Sequence, residues 1–138
     1  MPATEISGNC SCGQLGFKSA KPPVIQAICH CTDCRKATGD PFTVTAFFPS
    51  RHIRFSGRID AMEFVAESGA VTYREFCPKC KSVMVDRSEG VPGLIGVVTR
   101  FIAPPFEPRP VCHMWVRSKL PEVEVDDDLV KYQKRIEM

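Results

Sequence analysis

Seven of the eight cysteines in this 138-residue sequence fall into three short groups. The groups lie in GNCSCG (residues 8–13), CHCTDC (residues 29–34) and FCPKC (residues 76–80), and their members are Cys10, Cys12, Cys29, Cys31, Cys34, Cys77 and Cys80. Residues two apart in an extended chain project to the same face, and a CxxC pair on a tight turn also brings two sulfurs together. Each group can therefore offer its thiols to a metal ion.

The seven grouped cysteines divide naturally into four and three. Structural zinc sites usually have four protein ligands, whereas catalytic sites have three and an open position. The pairs in GNCSCG and FCPKC are about 65 residues apart, so one ion bound by both would join the N-terminal region to the middle of the chain. The CHCTDC triplet is sufficient for a second ion with an open position. This division predicts one structural and one catalytic zinc per chain.

Other ligand sets fit the same spacing. His30 or Cys112 can complete the triplet as a fourth ligand, which would make it a second structural site. In an extended stretch, however, His30 faces away from the sulfurs on either side, and a single Cys112 is more typical of a small buried apolar residue. A thioredoxin-like role for FCPKC requires a surrounding βαβ pattern, which the sequence does not contain.

The composition, charge and N-terminal sequence favour a globular cytoplasmic protein whose cysteines are reduced. Apolar residues make up 43% of the chain and charged residues 25%, which is ordinary for a globular domain. A net charge of +2 provides no general basic field, so we expect no nucleic-acid or membrane partner. MPATEISGNC at the N-terminus lacks the features of a secretion signal, and no apolar run is long enough to span a membrane. Cysteines kept reduced in the cytoplasm favour metal binding over disulfides.

Short segments rich in Val, Ile, Phe and Thr, separated by glycines and prolines, predict a mainly β fold with little helix in one domain, residues 1–138. The predicted strands are residues 14–18, 24–28, 42–48, 53–56, 61–66, 71–76, 83–87, 94–99 and 113–116. Thr32 and Gly39 can begin and end one helical turn over residues 32–38. The charge pattern of residues 126–136 predicts a terminal helix. The four prolines of residues 101–111 predict an extended connection.

Four segments together resemble the glutathione-dependent formaldehyde-activating enzyme family, which includes S-(hydroxymethyl)glutathione synthase and the centromere protein V-type domain. They are GNCSCGQLGF, CHCTDCRKATG, FCPKCKS and HMWVRSKLP. The resemblance covers about residues 8–121 and leaves residues 122–138 as a C-terminal extension. It implies a β-tent fold of short antiparallel strands stapled by zinc.

The resemblance also implies ligands and a reaction. The structural zinc would be bound by Cys10, Cys12, Cys77 and Cys80, and the catalytic zinc by Cys29, Cys31 and Cys34. The implied reaction adds glutathione, or a similar small-molecule thiol, to formaldehyde or another small aldehyde, and it is a carbon–sulfur lyase reaction in reverse. A different class of function on the same scaffold is a non-catalytic, zinc-stabilised binding module.

Several residues near these motifs are further candidates. Arg35, His113 and Trp115 match residues that the family carries after the triplet and in its C-terminal strand. Arg35 or His113 can orient the carboxylates of the thiol or handle a proton, and Arg35 with Lys36 can offset the negative charge of the thiolates. Two features depart from the family. Lys81 replaces the glycine that usually follows the CxxC, and SKLPEVEV lacks the family's aromatic residues.

Overall fold

A computed structural model describes residues 5–66, 68–125 and 127–134. Its described part contains one α-helix, α1 (Thr32–Thr38), and short 3₁₀ turns at Ser50–His52, Thr99–Phe101 and Val116–Ser118. The strands are β1 (Ile6–Asn9), β2 (Gly16–Ser19), β3 (Ile25–Cys29), β4 (Thr43–Pro49), β5 (Ile53–Ser56), β6 (Asp60–Val65), β7 (Val71–Phe76), β8 (Val83–Ser88), β9 (Leu94–Val98), β10 (Cys112–Met114) and β11 (Val130–Lys131). The prediction of a mainly β fold with little helix is confirmed.

The strands form two sheets. A three-stranded sheet has the order β1-β2-β5, and an eight-stranded sheet has the order β11-β10-β3-β4-β9-β8-β7-β6. Strand β10 runs parallel to both β3 and β11, whereas the other pairs within the described ranges are antiparallel. The predicted fold of short antiparallel strands thus holds for the described pairs other than those of β10. The long proline-rich connection before β10 makes its parallel pairing possible, because parallel neighbours need a long crossover.

The main hydrophobic core lies between the two sheets. Phe17 of the small sheet packs against Phe48 of β4, with ring centroids 5.8 Å apart. Both side chains are almost fully buried, as are Ala46, Met84 and Val97 in the same cluster. In β4, Ala46 and Phe48 are two residues apart and therefore face the same side of the strand, toward the core. Burial of these side chains fixes the small sheet against the large one.

The predicted strands all appear with boundaries shifted by at most two residues, but β1 and β11 were not predicted. The predicted helical turn is present and Gly39 ends it in the left-handed conformation, at φ 75°. Its N-cap, however, is Cys31 rather than Thr32, since Cys31 Sγ accepts a hydrogen bond from the Cys34 N–H. A side-chain acceptor at the N-cap satisfies a helix N–H that would otherwise be unpaired.

The predicted terminal helix is wrong over the described residues 127–134; Asp126 and residues 135–138 lie outside the described residues. This segment instead contains β11, which pairs with β10. Beyond the strand, the N–H groups of Trp115 and Val116 donate to the carbonyls of Lys134 and Tyr132, at 2.9 and 3.1 Å. Pairing with β10 thus outweighs the weak helical preference that charges at the two ends provide.

The proline-rich segment 101–111 forms an extended connection that packs on two strands. The Ala103 N–H donates to the Ser7 carbonyl of β1 at 2.8 Å, and the Val111 N–H donates to the Gln26 carbonyl of β3 at 3.0 Å. Between these contacts, the segment carries the chain from the small sheet to β10. No helix in the described part of the chain has the length and apolar character that crossing a membrane would require.

Candidate metal centres

The first candidate centre, here called the four-cysteine centre, joins two loops. Cys10 and Cys12 lie in the loop after β1, and Cys77 and Cys80 lie in the turn between β7 and β8. Their four Sγ atoms all lie within 4.8 Å of one another. Cys12 Sγ is 3.6 Å from Cys10 Sγ and 3.7 Å from Cys77 Sγ. The fold thus brings together two pairs that are far apart in sequence.

Backbone N–H groups surround the sulfurs of this centre. The Leu15 N–H donates to Cys10 Sγ at 3.3 Å, and the Lys79 N–H donates to Cys77 Sγ at 3.3 Å. The turn closes with a hydrogen bond of 2.8 Å from the Lys81 N–H to the Cys77 carbonyl. Lys81 adopts φ 64°, the left-handed conformation that a glycine would adopt without a Cβ clash. The CxxC turn over residues 77–81, here called the knuckle turn, therefore forms, and the lysine costs it some backbone strain.

Neighbouring polar groups favour thiolates at two of the four sulfurs. Ser82 Oγ lies 3.1 Å from Cys80 Sγ and lowers the pKa of the Cys80 thiol to about 5. Although burial opposes it, hydrogen bonds from the Cys80 N–H and from Gln14 Nε2 lower the pKa of the Cys77 thiol. At Cys12, by contrast, a backbone hydrogen bond from Gln14 is outweighed by desolvation and the neighbouring sulfurs, which raise the pKa of the thiol to about 11. Ionised sulfur is the form that binds a metal.

The second candidate centre, here called the three-cysteine centre, is assembled from one continuous stretch. Cys29 ends β3, Cys31 caps α1, and Cys34 lies in the first turn of α1. Their three Sγ atoms lie within 4.8 Å of one another, and the side chains are 2–6% exposed. Cys29 Sγ is 3.3 Å from Cys31 Sγ and 3.0 Å from Cys34 Sγ. The strand-to-helix turn is what makes the three sulfurs converge.

Sulfur–sulfur hydrogen bonds separate the acidities of these thiols. Cys31 Sγ accepts hydrogen bonds from Cys29 and Cys34, which lower the pKa of its thiol to about 3. The hydrogen bond between Cys29 and Cys31 is also the main reason that the pKa of the Cys29 thiol is raised. One thiolate therefore forms readily, and the other two thiols become favourable as anions only when a cation balances their charge.

A cavity of about 110 Å³ lies against the three-cysteine centre. All three cysteines line it, so their sulfurs have an open side. Apolar side chains form much of its wall: Phe47, Val91, Leu94, Met114 and Trp115. The charged residues that line it are Asp33, Arg74 and Asp86. We call this space the triplet cavity.

Arg74 and Asp86 were not among the predicted site residues. Arg74 Nη2 lies 3.4 Å from Cys34 Sγ, and Arg74 Nη1 lies 3.3 Å from Asp86 Oδ2. Burial lowers the pKa of Arg74, but Asp86 and Cys34 outweigh it and raise that pKa above its usual value. Strand alternation in VTYREF was the available signal, because it places Arg74 and the buried Thr72 on one face.

The cations predicted beside the triplet have other contacts. Arg35 Nη2 donates to the Ser118 carbonyl at 2.9 Å, and it also contacts Thr32 Oγ1 at 3.4 Å. Neither Arg35 nor Lys36 lines the triplet cavity. The cation placed against the sulfurs comes from β7, which lies 40 residues further along the chain than Cys34.

His30 and His113 lie next to the three-cysteine centre without joining it. His30 Nε2 is 2.9 Å from His113 Nδ1, the two rings stack, and His113 Nε2 is 2.8 Å from Asp127 Oδ2. When both rings are neutral, His113 donates to the Asp127 carboxylate and accepts from His30. Burial, together with the charge of His113, lowers the pKa of His30 to about 4. His113 thus contacts His30 and Asp127, whereas Trp115 faces the triplet cavity.

The two alternative fourth ligands lie outside both cysteine groups in the described structure. His30 forms the contact with His113, and Cys112 is 2% exposed in β10. Burial raises the pKa of the Cys112 thiol. Cys112 therefore has the surroundings of a small buried apolar residue.

Both sulfur sets fit zinc in their chemistry, and the four-cysteine centre also fits it in its spacing. Four sulfurs about 2.3 Å from a tetrahedral zinc lie about 3.8 Å from one another. The separations of 3.6 and 3.7 Å in the four-cysteine centre are close to this value. In the three-cysteine centre the separations are 3.3 and 3.0 Å, so these sulfurs must move apart by about 0.5 and 0.8 Å to bind zinc.

Fold and sulfur geometry together define a mainly β protein with two clusters of cysteines that could hold metal ions. The model of the family "Glutathione-dependent formaldehyde-activating enzyme" matches residues 5–118, and the chain belongs to this family. The fold is also that of a Rhodobacter sphaeroides protein solved by crystallography, with a TM-score of 0.59 and 17% sequence identity over 91% of this chain and 98% of the other. No curated protein matches the chain.

Proposed function

We propose that the protein is a zinc-dependent enzyme of the carbon–sulfur lyase type that adds a thiol such as glutathione to formaldehyde or another small aldehyde. The observation that carries this proposal is the three-cysteine centre, whose buried sulfurs face the triplet cavity. Three protein ligands with an open side are the usual arrangement of a catalytic zinc site. Membership of the formaldehyde-activating family supports the same reaction.

The two centres have different roles in this proposal. The four-cysteine centre would hold a structural zinc and join the loop after β1 to the β7–β8 turn. Cys29, Cys31 and Cys34 would hold the catalytic zinc. The whole chain would be a single zinc-binding domain with a core over about residues 8–121 and a C-terminal extension over residues 122–138. Its eight cysteines are free, which suits the reducing cytoplasm. The net charge of +2 gives no basic field for a nucleic-acid or membrane partner.

The reaction forms one carbon–sulfur bond. The thiol sulfur attacks the aldehyde carbon, the electron pair of the carbonyl π bond moves to oxygen, and the proton lost by the thiol ends on that oxygen. When zinc is bound, the chemistry supplied at the open position is ionisation of the thiol or polarisation of the carbonyl oxygen. Arg74 contacts Cys34 and so limits the negative charge that accumulates at the sulfurs.

The size of the triplet cavity limits what can enter it. Pockets for drug-sized ligands occupy about 300–1,000 Å³. At about 110 Å³, the triplet cavity can accept a small aldehyde together with the sulfur end of a thiol. Phe47, Leu94 and Trp115 would exclude water from the reacting atoms. The rest of a glutathione-sized molecule would lie outside the cavity.

Metal analysis combined with a turnover assay tests this proposal. We expect two zinc ions per chain, one for each cysteine centre, and glutathione-dependent consumption of formaldehyde by the purified protein. Cys31→Ser should abolish turnover and leave one zinc. Cys112→Ala removes a buried cysteine that belongs to neither centre, so it should keep both zinc ions and the activity. Two tightly held zinc ions with no turnover of any aldehyde would contradict the proposal and indicate a binding module instead.

A further inference from the structure

A buried ion pair forms the wall of the triplet cavity beside α1. Arg74 of β7 and Asp86 of β8 are cross-strand partners in the antiparallel register, and their side chains are 5% and 18% exposed. Both residues line the cavity. A buried ion pair contributes little net stability, because taking both charges out of water costs about as much as their attraction returns. Its position therefore calls for an explanation other than stability.

The sheet makes room for this pair with a glycine. Gly96 of β9 is the cross-strand partner of Asp86 on its other side. A Cβ at position 96 would lie 3.3 Å from Asp86 Cβ and 2.8 Å from Thr45 Cγ2, closer than packed side chains allow. The missing side chain leaves room beside Asp86, whose carboxylate pairs with the Arg74 guanidinium.

The held guanidinium reaches the three-cysteine centre. Arg74 Nη2 lies 3.4 Å from Cys34 Sγ, within hydrogen-bond distance of sulfur, while Nη1 of the same guanidinium keeps the ion pair with Asp86. Three thiolates around a divalent ion carry a net charge of −1. Among the described residues that line the cavity, Arg74 is the only cationic side chain, and Asp33 and Asp86 are both acidic. Arg74 is thus the one lining group that can offset the charge of the sulfurs.

We propose that Arg74, held in place by Asp86, is a positioning residue that orients Cys34 and offsets the charge of the three-cysteine centre, and so sets the affinity of that centre for its metal. The inference rests on the metal binding in the proposed function, but it does not depend on turnover. Groups that hydrogen-bond to metal ligands typically change metal affinity by about 10–100-fold when they are removed.

Two unpartnered atoms support a role beyond the ion pair. Arg74 Nε and Asp86 Oδ1 are buried and have no hydrogen-bond partner in the described structure. Nine-tenths or more of the Arg74 side chain is hidden from solvent, so its remaining N–H capacity is directed within the protein. A purely structural pair would be expected to satisfy these atoms, because buried unpaired polar groups are costly.

Zinc titration of the purified protein against a competing chelator tests this inference. Arg74→Met should weaken one of the two zinc sites by about 10–100-fold and leave the other unchanged. Arg74→Lys keeps the charge, but a single ammonium cannot bridge Cys34 and Asp86 as a guanidinium does, so it should restore the affinity only in part. In the cobalt-substituted protein, the sulfur-to-metal charge-transfer band of the weakened site should also change.

Arg87→Met is the matched control. Arg87 pairs with Glu75 across the same two strands, at 2.7 Å, and does not line the triplet cavity. The Arg87→Met substitution therefore removes a cross-strand ion pair that does not contact the sulfurs, and both zinc affinities should stay at the wild-type values. Unchanged affinity in Arg74→Met, or an equal loss in Arg87→Met, would overturn the inference.

The same titration separates this inference from the proposed function. A wild-type chain that binds two zinc ions but turns over no aldehyde would contradict the proposed function and leave the role of Arg74 intact if Arg74→Met still weakens one site. A wild-type chain that binds a single zinc ion, and keeps it in Cys31→Ser, would overturn both, since the three-cysteine centre would then hold no metal.

Discussion

The two cysteine centres offer the same ligand atom, Sγ, but they differ in how the chain supplies the sulfurs and in how far apart the sulfurs lie. In the four-cysteine centre, Cys12 and Cys77 are 65 residues apart, and their sulfurs already have a spacing that suits tetrahedral zinc. In the three-cysteine centre, six consecutive residues supply all the sulfurs, which lie closer together than bound zinc requires. The first arrangement links distant parts of the fold, and the second leaves an open side toward a cavity.

The groups that contact the sulfurs also differ between the two centres. Backbone N–H groups from tight turns contact the four-cysteine centre. The three-cysteine centre instead has Arg74 and Asp86 on one side and the apolar wall of the triplet cavity on another. In the proposed function, the number of ligands and the neighbours of the sulfurs, rather than the cysteines themselves, distinguish the structural site from the catalytic one.

Loss of a sulfur from the four-cysteine centre should have the largest effect. Structural zinc contributes about 10 kcal/mol or more to folding in small zinc domains, as much as the whole stability of a typical domain. We therefore expect Cys77→Ser to be largely unfolded at 25 °C, as measured by circular dichroism and near-ultraviolet absorption. A folded Cys77→Ser protein that keeps two zinc ions would remove the distinction between the centres.

Loss of a sulfur from the three-cysteine centre should affect activity far more than folding. Cys31→Ser removes one metal ligand but keeps a side-chain oxygen that can cap α1, so we expect the free energy of unfolding to change by less than about 1 kcal/mol. Turnover should fall by more than about 100-fold, beyond the loss typical of an outer-shell substitution. Urea denaturation and a formaldehyde assay measure the two effects. Unfolding as severe as that of Cys77→Ser would contradict the comparison.

The backbone of the knuckle turn offers a smaller test that is confined to the four-cysteine centre. Lys81→Gly removes the strain of a lysine at φ 64°, partly offset by the greater freedom of glycine in the unfolded chain. We expect a gain of about 0.5 kcal/mol in the free energy of unfolding. Lys79→Gly in the same turn is the control, and it should destabilise the protein because Lys79 has no left-handed conformation to relieve. Gains of equal size in both variants would refute the role of φ.

Loss of the hydrogen bond between His113 and Asp127, next to the three-cysteine centre, should have the smallest effect. A hydrogen bond from His113 lowers the pKa of Asp127 from 3.8 to about 2, so its contribution to stability is complete above pH 4 and is lost as the pH falls toward 2. The melting temperature of Asp127→Asn should be slightly below that of the wild type, by an amount that stays constant from pH 7 to pH 5. A difference that varies in this range would mean that another titrating group controls the contact.

Much of the fold could be predicted from the sequence, because a strand bounded by Gly and Pro can be recognised from its own residues. Strands β5 and β7 have the predicted bounds, Ile53–Ser56 and Val71–Phe76. Strand β1, by contrast, has a Gly-containing sequence, ISGN, with little β character, and β11 has only two residues. The terminal helix was mispredicted because pairing with β10, a tertiary contact, determines the conformation of residues 127–134.

The three groups of cysteines could also be identified from the sequence, because CxC and CxxC are short motifs of neighbouring residues. The pairing of Arg74 with Asp86 was not visible, because it depends on the register of β7 and β8, which shifts between Glu75 and Phe76. Proximity in sequence suggested Arg35 and Lys36 as the cations near the triplet, but α1 directs Arg35 toward Ser118. Cross-strand contacts of this kind follow from the assembled sheet.

The most direct test of the account is the rate at which a chromogenic chelator removes zinc from the native protein. Two zinc ions per chain should leave in two phases, a fast one from the three-cysteine centre and a slow one from the four-cysteine centre. The fast phase should be absent in Cys31→Ser and present in Cys112→Ala. Release of both ions in one phase, or a fast phase that persists in Cys31→Ser, would contradict the division into an open and a closed centre.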